Sequence, residues 1–223
     1  MKNFIFLAAI MIAAQSFISC GPFFGKGGEL TIEATVSNGA EYNDFVDEVR
    51  AMGYYSDSSY YWEDIIIATG SWRNGGFKIT LPTNIDARLL EPVFKVGDLP
   101  DDITINNPTV KGVTVGQIQG FKNNSNVCYF YHLYRDPDDE PGVYFRSVDV
   151  YYKFVDGDCK AFGSHVIVGS EGTCTLSVDL NLKKGWNAVY TTSTLVDSVF
   201  TIKQTTKKPD FDLIWIGGTM ITP

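Results

Sequence analysis

From Leu30 onward apolar and polar residues alternate with a period of two, the signature of strands with one buried face. In Cys174-Thr175-Leu176-Ser177-Val178-Asp179-Leu180-Asn181-Leu182 every second residue is apolar, so one side of this strand must face a core. Phe77 to Leu81, closed by Pro82, and Val148 to Phe154 follow the same pattern. Val127 to Tyr134 is rich in β-formers, and Leu30 to Val36 opens the folded region. Asn38-Gly39, Asn74-Gly75-Gly76, Asp156-Gly157-Asp158 and Lys184-Gly185 tolerate positive φ and predict several hairpins, which makes the second half an antiparallel meander. Tyr42 to Met52 fits a helix through Phe45, Val46 and Val49, or a strand through Phe45, Asp47, Val49 and Ala51; the β-rich surroundings favour the strand. The chain lacks a β-α-β rhythm, which argues against a parallel sheet. The predicted fold is therefore an all-β antiparallel sandwich, immunoglobulin-like, transthyretin-like or similar. The turn-rich acidic stretch near 98–110 either divides residues 29–223 into two small β-domains or connects strands within one.

The N-terminus has a different pattern. Lys2 precedes an apolar run from Phe4 to Ala14, eleven residues, too short to span a bilayer as a helix, so residues 1–19 read as a removed signal peptide. Phe17-Ile18-Ser19-Cys20-Gly21 resembles the lipobox of bacterial lipoproteins, in the loose form common in Bacteroides and its relatives. That resemblance implies lipidation of Cys20 and attachment to a membrane through the lipid. Residues 20–28, rich in glycine, read as a tether. Surface-exposed lipoproteins of this lineage carry acidic residues just after the cysteine, and none stands here before Glu29, so the resemblance slightly favours the periplasmic face of the outer membrane over the cell surface.

Charge narrows the range of partners. The 26 acidic residues exceed the 18 basic ones, giving a net charge of −8. An acidic chain cannot replace the counterions of a phosphate backbone, which excludes nucleic acid as a partner. At 223 residues the chain can bury a core without disulfides or metals.

Gly70-Ser71-Trp72-Arg73-Asn74-Gly75-Gly76-Phe77, running into Lys78-Ile79-Thr80-Leu81-Pro82, and Lys183-Lys184-Gly185-Trp186-Asn187-Ala188-Val189-Tyr190 stand together with the lipobox. The combination resembles lipoproteins of unassigned function from Bacteroides and related gut bacteria, over nearly the whole mature chain. Its motifs are hairpin and strand signals, so it implies location and fold but no activity.

Candidate chemistry is sparse. His132 and His165 form no H-E-x-x-H spacing, and neither Gly163-Ser164-His165 nor Gly169-Ser170-Glu171-Gly172 fits a G-x-S-x-G elbow. His132 lies in the aromatic run Tyr129 to Tyr134, where a packed or surface histidine is expected rather than a base. Cys128, Cys159 and Cys174 allow one disulfide in three pairings, among them Cys159 with Cys174 across neighbouring strands; a buried free thiol is the rival reading. Asp136-Pro137-Asp138-Asp139-Glu140-Pro141-Gly142 departs from a calcium loop at Pro141 and Ser147 and reads as a solvated hairpin loop. No catalytic residue, metal or cofactor is assigned. Asp197-Ser198-Val199 resembles an O-glycosylation acceptor of that bacterial phylum. The most suggestive feature is Tyr54, Tyr55, Tyr60, Tyr61 and Trp62, aromatics that bracket a polar loop and either form a recognition platform or cap a sandwich edge. The expected function is a non-catalytic, lipid-anchored envelope module that binds a glycan or a partner protein. The alternatives are a structural subunit that pairs through Phe211 to Ile216, or a glycoside hydrolase with an unrecognised carboxylate pair.

Overall fold

A computed structural model describes residues 23–24, 29–56, 62–94, 99–134, 143–169, 172–210 and 213–219. Fifteen strands account for most of them. The first seven are β1 (Phe23–Phe24), β2 (Leu30–Thr35), β3 (Glu48–Ser56), β4 (Trp62–Arg73), β5 (Gly76–Leu81), β6 (Glu91–Pro92) and β7 (Ile103–Ile105). Then follow β8 (Lys111–Lys122), β9 (Ser125–Tyr134), β10 (Val143–Val155), β11 (Cys159–Gly169), β12 (Gly172–Leu182), β13 (Gly185–Val196), β14 (Val199–Thr205) and β15 (Leu213–Thr219). They join one mixed sheet along the path β1-β2-β5-β4-β3-β8-β10-β13-β14-β12-β11-β7, with β6 and β9 on β8 and β15 on β9. The ends of the path do not pair, so the sheet is open, and the fold is all-β and sandwich-like as the alternation predicts.

The alternation in the sequence corresponds to burial. Phe77, Ile79 and Leu81 of β5 and Val178, Leu180 and Leu182 of β12 are buried, while their polar neighbours face out. Asn74 and Gly75 take positive φ of 49° and 75° and close the β4–β5 hairpin that Asn-Gly predicts. Tyr42 to Met52 is no helix: β3 starts only at Glu48, and Val49 and Ala51 enter the core. Phe45, expected inside by either reading, lies in the preceding turn and is 61% exposed.

The meander is overturned. β12 does not pair with β13, nor β10 with β11: β13 lies between β10 and β14, and β14 separates it from β12. Inserting the β13–β14 hairpin in this way makes β12 and β14 run in the same direction, so the sheet contains a parallel pair after all. The two corners read as hairpins are instead held to each other. Asp158 accepts hydrogen bonds from the Lys184 N–H (2.9 Å) and from Lys183 Nζ (2.9 Å). Asp156 Oδ1 accepts from the Lys111 N–H at 2.9 Å, and Asn187 Nδ2 donates to the carbonyls of Lys183 and Gly185 at 2.8 and 2.9 Å.

This connectivity forces curvature. Val155 and Cys159 can be separated by at most about 14 Å of extended chain, whereas four flat strand spacings would need about 19 Å. The sheet therefore curls, and its concave side holds one of two hydrophobic clusters, formed by Ile103, Val110, Val155, Cys159, Ala161, Val178, Leu180, Leu182 and Val189. The other cluster lies behind the same strands, where Tyr152, Phe154, Trp186, Ala188 and Tyr190 meet the inner residues of β2 to β5. Trp72 stacks on Phe130 at 5.0 Å there, and Phe77 meets Trp215 edge-on at 5.0 Å. β10 and β13 thus carry core on both faces. Ile103 and Val110, within the predicted boundary region, belong to the first of these clusters, and β7 pairs with β11.

Candidate functional site

β8 is where the sheet divides. One edge pairs with β3; the opposite edge pairs with β10 over Gly112–Val115 and with β9 over Ile118–Lys122. β9 and β10 diverge between these two stretches and leave a cleft of about 590 Å³. Strand register settles which side chains enter it. Gln119 is opposite Tyr129 and Thr114 opposite Lys153; a register shift against β3 leaves Gly116 as an extra residue and puts Thr114 on the face of Gln117 and Gln119, so Tyr129 and Tyr131 of β9 line the same side as Asp149, Tyr151 and Lys153 of β10.

Tyr129 and Tyr131 stay 37% and 39% exposed, with ring centroids 5.5 Å apart. The Tyr129 ring owes its position to Gly218, directly opposite on β15: a Cβ there would sit 2.7 Å from the ring. Gln117 ends a relay in which Asn126 Nδ2 donates to Gln119 Oε1 (2.7 Å) and Gln119 Nε2 donates to Gln117 Oε1 (2.8 Å), leaving the Gln117 amide N–H groups as donors at the cleft. Lys153 Nζ stands 5.8 Å from the centre of the Tyr151 ring. Burial pushes the Asp149 carboxyl and the Tyr151 phenol up and the Lys153 ammonium down. The cleft therefore offers aromatic faces, one carboxylate among the described lining residues, an amine and amide donors. A glycosidase would need a second carboxylate about 5–10 Å from Asp149.

His132 touches this cleft from the core side. It packs on Trp215 with centroids 3.7 Å apart, the packed rather than the surface placement, and burial pushes its imidazole down to about 3, so it is neutral near pH 7. His165 is elsewhere, on β11, with Nδ1 3.1 Å from Asp102 Oδ2. Cys128, Cys159 and Cys174 are all free thiols; Cys159 is opposite Leu182 and Cys174 opposite Ile167, so they stand at opposite ends of the β11–β12 pair and cannot join. The C-terminal segment is not a free strand: β15 pairs with β9 from Leu213 opposite Tyr134 to Thr219 opposite Cys128, and Trp215 bridges to Val36.

Of the side chains singled out from the sequence as candidate chemistry, His132 lines the cleft and none of the other described ones does. Cys20, Tyr60, Tyr61 and the loop Asp136 to Gly142 fall outside the described residues. Tyr54, Tyr55 and Trp62 are placed by backbone alone, at the end of the β3–β4 hairpin where Tyr55 is opposite Glu63 and Ser56 opposite Trp62. The cleft tyrosines were visible as an aromatic run, but period two alone does not tell a surface face from a core face. Among the described residues no three His, Cys, Asp or Glu side chains gather to hold a metal, and no helix is long and apolar enough to cross a membrane. Comparison with protein families, with curated proteins and with solved structures finds no match for this chain.

Proposed function

We propose that this chain is a non-catalytic, lipid-anchored protein of the bacterial envelope that binds a glycan in the cleft between β9 and β10. The observation that carries the reading is the pair of half-exposed tyrosines on a rigid strand, facing Tyr151, Asp149, Lys153 and Gln117 across an open volume. Sugar rings present C–H faces that stack on aromatics and hydroxyls that need both donors and acceptors, and this lining supplies all three. Anchoring rests on the signal and the cysteine that follows it, and the likeness to Bacteroides lipoproteins belongs to the same reading.

The test is a glycan-array screen of the purified chain, followed by calorimetry on any hit. Tyr129→Ala with Tyr131→Ala is expected to weaken binding at least tenfold, on the order of 1.4 kcal/mol for the two stacking faces. Loss of binding only in Tyr60→Ala with Tyr61→Ala and Trp62→Ala would move the site to the β3–β4 hairpin. For the anchor, Cys20→Ala is expected to abolish incorporation of labelled fatty acid and to release the protein from membranes.

A further inference from the structure

The two ends of the cleft differ in chemistry. Lys153 stands at the fork, where β10 is still paired with β8: it is opposite Thr114, and Gln117 is the next residue of β8 on that face. Such diagonal neighbours stand roughly 7–8 Å apart, within reach of long side chains. The Lys153 ammonium offers three donors and no acceptor. Gln117 Oε1 already accepts from Gln119 Nε2, so its amide also meets the cleft with donors, and Asn126 fixes that direction from behind by donating to Gln119 Oε1. The acceptor Asp149 lies four residues from Lys153, about 13 Å along β10. Lys153 has no anionic partner among the described residues. The titratable group that acts on it is the Cys159 thiol, and no carboxylate is within ion-pair distance of Nζ.

We propose that this donor-only end takes the anionic group of an acidic sugar, a carboxylate or a sulfate ester, between Lys153 Nζ and the Gln117 amide, while uncharged rings of the same glycan stack on Tyr129 and Tyr131. The inference rests on the cleft being a glycan site and names the class of glycan. A neutral hydroxyl brings a proton that a donor-only end leaves without an acceptor, whereas an anionic group brings acceptors alone. Its hydrogen bonds are charge-assisted, roughly twice as strong as neutral ones. Asp149 does not cancel this attraction, because about 13 Å exceeds the screening length of about 8 Å at physiological salt. Asp136, Asp138, Asp139 and Glu140, in the connection from β9 to β10, lie outside the described residues. That connection leaves β9 at Tyr134, about 17 Å along the strand from Tyr129, and enters β10 at Val143, about 33 Å from Lys153, so both its attachment points stand away from the donor-only end.

Calorimetry of the purified chain with paired oligosaccharides tests this. Uronic-acid oligomers are set beside the same chains with the carboxyl reduced to a hydroxymethyl group, and sulfated oligomers beside their desulfated forms, so the two arms also tell carboxylate from sulfate. At least one acidic member is expected to bind tenfold or more tighter than its neutral partner, with an advantage that shrinks as salt is raised. Lys153→Gln is expected to bring the two members of that pair within about twofold of each other, and Gln117→Met, which removes the amide donors at similar size, to narrow the gap at least threefold. Unchanged melting temperatures would show that both variants fold. Neutral partners that bind as well as acidic ones, or a preference that survives Lys153→Gln, would overturn this inference and leave the glycan cleft standing; a panel in which nothing binds would overturn both.

Discussion

At the scale of single residues, the informative side chains are those whose environment opposes their usual state. His132 titrates near 6.5 when unfolded and near 3 in the folded chain because burial disfavours the imidazolium. Between those values the unfolded chain binds the extra proton. The stability that neutral His132 contributes is thus complete above pH 6.5 and lost as pH falls toward 3, by at most about 1.4 kcal/mol per pH unit. Chemical denaturation at a series of pH values is expected to show this slope, and His132→Gln is expected to flatten it. The neighbouring sequence left a packed and a surface histidine open; that it packs on Trp215 was not legible, because 83 positions separate the two in the chain.

At the scale of elements, turn chemistry was only partly readable. Asn74-Gly75 forms its hairpin because both residues accept positive φ at little cost. The β13–β14 hairpin turns instead on Asp197 and Ser198, held at φ of 45° and 65°; both residue types are common in turns, but without a glycine the pair is a weaker hairpin signal than Asn-Gly. Ser198→Gly should relieve the strain and raise stability by roughly 0.5–1 kcal/mol, seen as a higher midpoint in denaturant at unchanged slope. Conversely, Asp156-Gly157-Asp158 and Lys184-Gly185 look like hairpin turns and are corners, since a turn residue permits a reversal without choosing which strand receives it.

At the scale of the molecule, β10 and β13 belong to both hydrophobic clusters, so neither cluster can lose its packing without stripping a face from the other. Leu81 lies wholly buried in one and Leu182 in the other. Leu81→Ala and Leu182→Ala are each expected to cost about 2–5 kcal/mol. Both should move one shared unfolding transition, with tryptophan fluorescence and circular dichroism coincident; a separate transition in either variant would mean that the clusters melt independently.

The sequence by itself determined that the chain is built of strands, which residues of β5 and β12 share a buried face, and that Asn74-Gly75 turns. Each is a local matter, legible from the identity and spacing of side chains a few residues apart. Only the tertiary structure decided the strand order, the parallel β12–β14 pair, the curl between Val155 and Cys159, and the parting of β9 from β10 that makes the cleft. These depend on which distant strand satisfies each backbone edge, and alternation with period two is the same whichever neighbour a strand acquires.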